Sequence, residues 1–192
     1  RVLFRSDIEG VVLRINSPGG SALASDEIHR GVTLLAEAMP VVVSMGGAAA
    51  SGGYYMAAPA REIWAQPTTI TGSIGVFGLL FSGEELMHDK LGVKSQPVAT
   101  HPFANFPSLD RTPTEAELAV VQRSVDQTYA RFKEVVAQGR RLEAEVVDSI
   151  ARGRVYTGRR AKELGLVDQL GGLNDALASF SSRGPVTAPA IE

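Results

Sequence analysis

The sequence contains no cysteine. That absence removes a thiolate nucleophile, a cysteine-ligated metal and any disulfide from consideration. Neither sign of charge is in excess: 19 Lys and Arg against 21 Asp and Glu leave a net charge of −2, which offers no basic surface for nucleic acid. No apolar run approaches the roughly 20 residues that cross a bilayer. No secretory leader is visible either, so any membrane anchor would have to lie outside these 192 residues. Metal-ligand spacings and the Gly-x-x-x-x-Gly-Lys-Ser/Thr phosphate loop are both missing, so no metal and no nucleotide cofactor is implied. What is present is ordinary globular material: 44% hydrophobic and 21% charged residues, enough for one domain with its own core or for one half of a repeated protein.

Residues 1–7 fit no element and read as a ragged edge, followed by one folded domain over 8–180. Residues 181–192, rich in Ser, Gly and Pro, read as a disordered tail. Gly10–Ile15 (GVVLRI) is a β-branched apolar run, expected as a buried strand. Asn16–Ser21 (NSPGGS) is a turn signal, and Ser21 can cap a helix running to about Met39 with Ile28, Leu35 and Met39 on one face. Val41–Met45 predicts a second buried strand, a glycine-alanine turn follows, and a short helix runs from about Gly52 to Pro59. Glu62–Gln66 and Thr71–Gly78 predict further extended segments. Alternating strands and helices indicate an α/β fold with mostly parallel strands.

Farther on, Ser82–Gly92 predicts a helix. A long helix follows, with Thr112 as cap, Pro113 in its first position and Glu115 completing a capping box. Its stripe of Leu118, Val121, Val125, Tyr129, Phe132 and Val136 is patterned for burial. A shorter helix over 143–151 comes next, then a Thr157-capped helix stopped by Gly165 and a short strand.

Three glycine turns carry the possible chemistry. Ser51 stands where a strand gives way to a helix, and Gly52 follows it at the helix start, where N–H groups lack intrahelical partners. A nucleophilic hydroxyl and one oxyanion donor can arise together there, although a cap or a packing residue fits the same pattern. In Asn16–Gly20, Pro18 fixes the chain while Gly19 and Gly20 free a backbone amide to face outward. Parallel strands open both turns on the same side of the sheet, so two donors can converge. Ser73, in Thr71–Gly75, is either a functional hydroxyl or a turn residue. Small and apolar residues crowd this region (Gly47, Ala48, Ile74 and Val76 among them), which suits an extended peptide with small or apolar side chains. His29, His88 and His101 read as surface histidines, and Asp26, Glu27, Glu84 and Glu85 as solvated helix faces.

The segments VVLRINSPGGSALAS, VVVSMGGAAASGGYYMAAPA, ITGSIGVFG and GRVYTGRRAKELGLVDQLG, in that order, resemble the signal peptide peptidase A (protease IV) family from about Ile8 to Leu173. The strand-turn-helix core also resembles the wider Clp protease and crotonase fold. The resemblance implies a serine protease with a Ser/Lys dyad that degrades cleaved signal peptides at the bacterial cytoplasmic membrane, with its catalytic domain on the outer, periplasmic side. It further implies a homo-oligomer that encloses the sites. By the same resemblance Ser51 is the nucleophile, Gly52 and the Gly19–Gly20 pair supply the oxyanion hole, and Ser73 orients the lysine base.

The sequence departs from the short form of that family at one point. The Ala99–Asp110 stretch, where the resemblance places the lysine, contains none. In the long form the amino-terminal half brings the lysine and the carboxy-terminal half the serine, and this chain resembles the latter. The base is therefore expected from a homologous half outside this chain, none of Lys90, Lys94, Lys133 and Lys162 is expected to act, and the chain alone is expected to hydrolyse peptides poorly. Two other readings share the fold: an acyl-CoA enzyme of the crotonase type using the same backbone donors, and a catalytically silent assembly half.

Overall fold

The computed structural model describes residues 8–181. The expectations for residues 1–7 and for the tail from 182 onward lie outside the described residues. The chain divides into two compact units, one formed by residues up to Gly75 together with those from Tyr129 onward, the other by Val76–Thr128.

The first unit is organised by a six-stranded sheet. Its strands are β1 (Val11–Ser17), β2 (Val41–Ala50), β3 (Glu62–Ala65), β4 (Ile70–Gly72), β5 (Val155–Thr157) and β6 (Gln169–Leu170). β2 is the hub. Its first half pairs in parallel with β1 (Val11↔Val41 to Ile15↔Met45) and with β3 (Val42↔Glu62 to Ser44↔Trp64). Its last residues pair with β4, from Ala48↔Ile70 to Ala50↔Gly72. β3 pairs in parallel with β6, and β5 runs antiparallel beside β4. A strand flanked on both edges reads as a continuous apolar run. Accordingly Val41, Val43 and Met45 are at most 1% exposed.

β2 is longer than expected, because the Gly46–Ala50 stretch stays in the sheet instead of turning. Two steps of β1, from Ile15 to Ser17, face four steps of β2, from Met45 to Ala49. The surplus is a bulge, and Asn16 fills it: its Oδ1 accepts from the Ala48 N–H at 3.2 Å. Glycine is required at 46, since a Cβ there would stand 2.5 Å from that same oxygen. β1 is also less covered than expected. It is an edge strand, and Ile15 is its one buried residue.

Of the helices, α1 (Ala22–Ala38) is capped by Ser21, whose side chain accepts from the Ala24 N–H. Its covered face is the expected one only in part: Val32 is buried and Leu35 and Met39 are half-buried, but Ile28 is exposed and Ser25 is buried as well. α2 (Gly52–Ala57) is short and almost wholly buried. α3 (Glu115–Arg140) begins in the second unit and ends in the first. Its apolar stripe is buried only toward the C-terminal end, at Phe132, Val135 and Val136, whereas Leu118 is 46% exposed. α4 (Ala144–Ile150), α5 (Gly158–Glu163) and α6 (Leu173–Ser181) complete the first unit. Thr157 caps α5 and Gly165 (φ 76°) ends it, as the sequence predicts.

In the second unit the α3 cap lies two residues later than expected. Thr114 and Glu117 form the box: the Thr114 hydroxyl accepts from the Glu117 N–H, and Glu117 Oε2 accepts from the Thr114 N–H. Thr112 is held elsewhere, with its N–H and hydroxyl both donating to Glu84 Oε2. Ser82–Gly92 is not a regular helix but holds a π-helical turn, Leu86–Lys90, before Gly92 at φ 66°.

Candidate active site

Ser51 ends β2 and stands at the N-cap of α2, with φ 51° and ψ −122° and no capping hydrogen bond from its side chain. Positive φ is disfavoured for a residue with a Cβ and persists only where the surroundings over-determine it. Here they do. The Ser51 N–H donates to the Gly72 carbonyl at 2.9 Å and the Ser51 carbonyl accepts from the Tyr55 N–H at 2.9 Å, so sheet and helix grip the residue from opposite sides. Behind it, the buried Thr71 hydroxyl donates to the Ala49 carbonyl and the Thr69 hydroxyl to the Gly46 carbonyl, each at 2.7 Å, locking the end of β2 to β4.

The structure brings the Asn16–Gly20 turn directly against this elbow. Gly19 has φ 111°, and a Cβ on it would lie 2.7 Å from the Ser51 Cβ and 3.0 Å from the Gly52 nitrogen. No residue other than glycine fits there without displacing the serine. α2 is equally close. A Cβ on Gly53 would stand 2.6 Å from the Ser17 carbonyl oxygen, and one on Gly52 would stand 2.2 Å from the Ser25 hydroxyl. The glycine pair after Ser51 is therefore explained by contact: α2 begins with its backbone laid on the first turn and on α1.

Which amide of the first turn is available follows from its internal bonds. The Gly19 N–H donates to Ser17 Oγ at 3.2 Å and is engaged. The Gly20 N–H has no hydrogen-bond partner among the described residues. The Gly52 N–H lies in the first turn of α2, where no intrahelical acceptor exists. Both stand at helix N-termini, where the partial positive charge favours an anion.

Ser73 follows the last β2–β4 ladder pair, Ala50↔Gly72, just as Ser51 does, so the two serines flank the same sheet end. Ser73 too has φ 51°, and its N–H donates to the Arg154 carbonyl at 2.7 Å. Of the residues expected to line a peptide, Gly47 is exposed and Ala48 half-buried in the bulge. Ile74 is a correction: its side chain is 0% exposed and belongs to the core, held where the Gly153 N–H donates to its carbonyl. Val76 is the first residue of the second unit.

The lysines are engaged or exposed. Lys133 bonds Asp148 at 2.7 Å and lies 4.8 Å over the Tyr129 ring; that hydrogen bond raises its pKa, the opposite of what a neutral-pH base requires. Lys162 reaches the Gln169 side chain, and Lys90 and Lys94 are exposed in the second unit. His29 is half-buried, edge-on to Tyr55, and burial lowers its pKa.

Several contributors escape a reading of the sequence. Asn16 and Ser17 sit in the quoted motif, but their roles need the bulge and the neighbouring strand. Ser25 is an unremarkable helix residue until Gly52 rests on it. Asp26 and Glu84 are not merely solvated: Asp26 accepts from the Tyr55 hydroxyl and Glu84 holds Thr112.

The profile of peptidase family S49 matches residues 33–186. Protease 4 of Salmonella typhi is 44% identical over 172 residues, which are 89% of this chain and 28% of that protein. A protein of Enterococcus faecium named as a signal peptide peptidase SppA is 39% identical over 183 residues, 94% of this chain and 52% of that one. The chain thus spans between about a quarter and a half of these relatives. A ClpP1 mutant from Listeria monocytogenes superimposes with a TM-score of 0.58 at 18% identity, covering 88% of this chain and 77% of that one, which fixes the fold as Clp protease-like. No helix among the described residues is long and apolar enough to cross a membrane. With profile and relatives agreeing over most of its length, the chain belongs to peptidase family S49.

Proposed function

We propose that the protein containing this chain cleaves extended, apolar peptides with Ser51 as nucleophile. The observation that carries the reading is the strained elbow: Ser51 at φ 51°, at the head of α2, with the Gly19 backbone packed on its Cβ. Ser51 Oγ attacks the scissile carbonyl carbon, and its proton passes to a lysine. The oxyanion that forms accepts hydrogen bonds from the N–H groups of Gly52 and Gly20. The lysine then gives the proton to the leaving amine, and water releases the acyl group by the same steps in reverse order. Ser73, beside Ser51 at the sheet end, orients that lysine. The base comes from outside this chain, a reading supported by the engagement of Lys133 and Lys162 elsewhere.

Backbone donors are indifferent to peptide sequence, so side-chain selection falls to the walls. Gly47 and Ala48 present little but backbone on the bulge and suit small residues. Remnant signal peptides, with their apolar centres, are the substrate class this favours. Attachment to a membrane, by a segment outside this chain, and assembly into a homo-oligomer belong to the same reading.

The test is Ser51→Ala in the full-length protein, assayed on apolar peptides with mapping of the cleaved bonds. Loss of cleavage in a folded variant supports the reading. Retained cleavage, or strict selection for charged residues at the scissile bond, overturns it.

A further inference from the structure

One hydrogen bond joins the two helices that follow the donor-bearing turns, and the chemistry above makes no use of it. α1 starts from the Gly19–Gly20 turn and α2 starts from Ser51. On the second turn of α1, Asp26 Oδ1 accepts from the Tyr55 hydroxyl of α2 at 2.5 Å. A six-residue helix cannot hold its own direction through internal hydrogen bonds. Its orientation depends on what its side chains grip. Tyr54 donates to the Leu166 carbonyl at 2.8 Å, anchoring one side of α2 to the α5–β6 connection. Tyr55 anchors the other side to α1, next to Ser25, on which Gly52 rests.

The Tyr55 ring is fixed independently of its hydroxyl. It is 7% exposed and stands edge-on between His29 and Phe132, with centroids 5.0 Å from each. Burial, and then the bond to Asp26, pushes the phenol up to about 12, so it stays a donor throughout the neutral range.

We propose that Asp26 and Tyr55 are positioning residues whose hydrogen bond sets the separation of the Gly20 and Gly52 N–H groups, and with it the fit of the oxyanion. This rests on the reading of Ser51 as nucleophile. Donors aimed at a developing charge lose their effect when displaced by a fraction of an ångström, whereas ground-state binding changes little.

The experiment compares Tyr55→Phe, Asp26→Ala, Asp26→Asn and the Tyr55→Phe/Asp26→Ala double variant in the full-length protein, with Ser51→Ala as reference. Tyr55→Phe keeps the ring packing. Asp26 is exposed, so its replacement carries the test if Tyr55→Phe does not fold. The expected result is a fall in kcat of roughly tenfold for Tyr55→Phe and Asp26→Ala, KM within about twofold, and no further loss in the double variant. Asp26→Asn, which keeps an acceptor oxygen, retains most of kcat. Unchanged kcat with only a lower melting temperature, or an effect confined to KM, overturns the proposal. An inactive Ser51→Ala beside fully active Asp26 and Tyr55 variants removes the positioning role alone; an active Ser51→Ala removes the serine reading itself.

Discussion

The surroundings of Ser51 and the Val76–Thr128 unit are held together by opposite means. Around Ser51 the bonds join residues distant in sequence: Gly72 to Ser51, Thr71 to Ala49, Asn16 to Ala48, Tyr55 to Asp26. Backbones there approach so closely that an added methyl has no room at Gly19 or Gly53, and at Gly52 it would meet the Ser25 hydroxyl. In Val76–Thr128 the fastenings are polar and mostly short in sequence range. Arg111 bonds both oxygens of Glu117, Glu117 closes the Thr114 cap, and Asp110 accepts from Ser95 and Ser108. Large apolar side chains stay uncovered: Phe77 is 88% exposed, Phe81 68% and Val98 96%. A monomer seldom leaves so much apolar surface to water without a use for it. Close, long-range packing is concentrated around Ser51, the residue proposed here as nucleophile, which such packing would keep aimed.

That contrast can be broken experimentally, and the largest effect is expected at Gly19. Gly19→Ala places a methyl 2.7 Å from the Ser51 Cβ at φ 111°. Cleavage should fall by about 10²-fold or more, with a stability loss of roughly 1–3 kcal/mol read by denaturant titration. Gly31→Ala is the control: an added Cβ on this helical glycine meets nothing within 4 Å, so it should stabilise by about 0.5–1 kcal/mol with normal activity. If both variants behave alike, the close packing of the two turns does not govern activity.

A smaller effect is expected in the second unit. The Arg111 hydrogen bond, helped by the Thr114 N–H, lowers the Glu117 pKa to about 2, against about 4.3 for an unfolded glutamate. A depressed folded-state pKa contributes stability above the unfolded value and loses it as pH falls toward the folded one. Amide exchange in residues 76–128 should therefore accelerate as pH drops from about 4.5 toward 2, beyond the intrinsic pH trend. Glu117→Gln should exchange faster at neutral pH with a flatter acid dependence. An unchanged profile would mean that this polar network does not hold the unit.

The smallest effect is expected at Val98. Val98→Ser alters an almost fully exposed side chain and should change folding stability by less than about 0.5 kcal/mol. A large loss would show that this surface is covered in the working protein.

Most of the fold was legible because its signals are local. The Val41–Val43 run, the Ser21 and Thr157 caps and the Gly165 stop each have a short-range cause, and each stands as expected. The Ser51 and Asn16–Gly20 turns were legible as unusual, since clustered glycine demands a reason. What was not legible depends on partners far along the chain. Nothing near Gly46 announces that β2 continues to Ala50, because the β4 ladder that extends it lies beyond the next helix. Ile74 looked like a pocket residue by its neighbours, yet tertiary packing places it in the core. The α3 cap moved to Thr114 because Glu84 engages Thr112 from across a long loop. Asp26 reads as a surface acid until Tyr55 is seen beside it.

The central claim is that the Ser51 hydroxyl is the attacking group. The most direct measurement treats the full-length protein with a fluorophosphonate and maps the modified residue by peptide mass spectrometry. A single adduct on Ser51, formed in step with loss of peptide cleavage, is the predicted result. An adduct on another serine, or full inactivation with Ser51 unmodified, would contradict it.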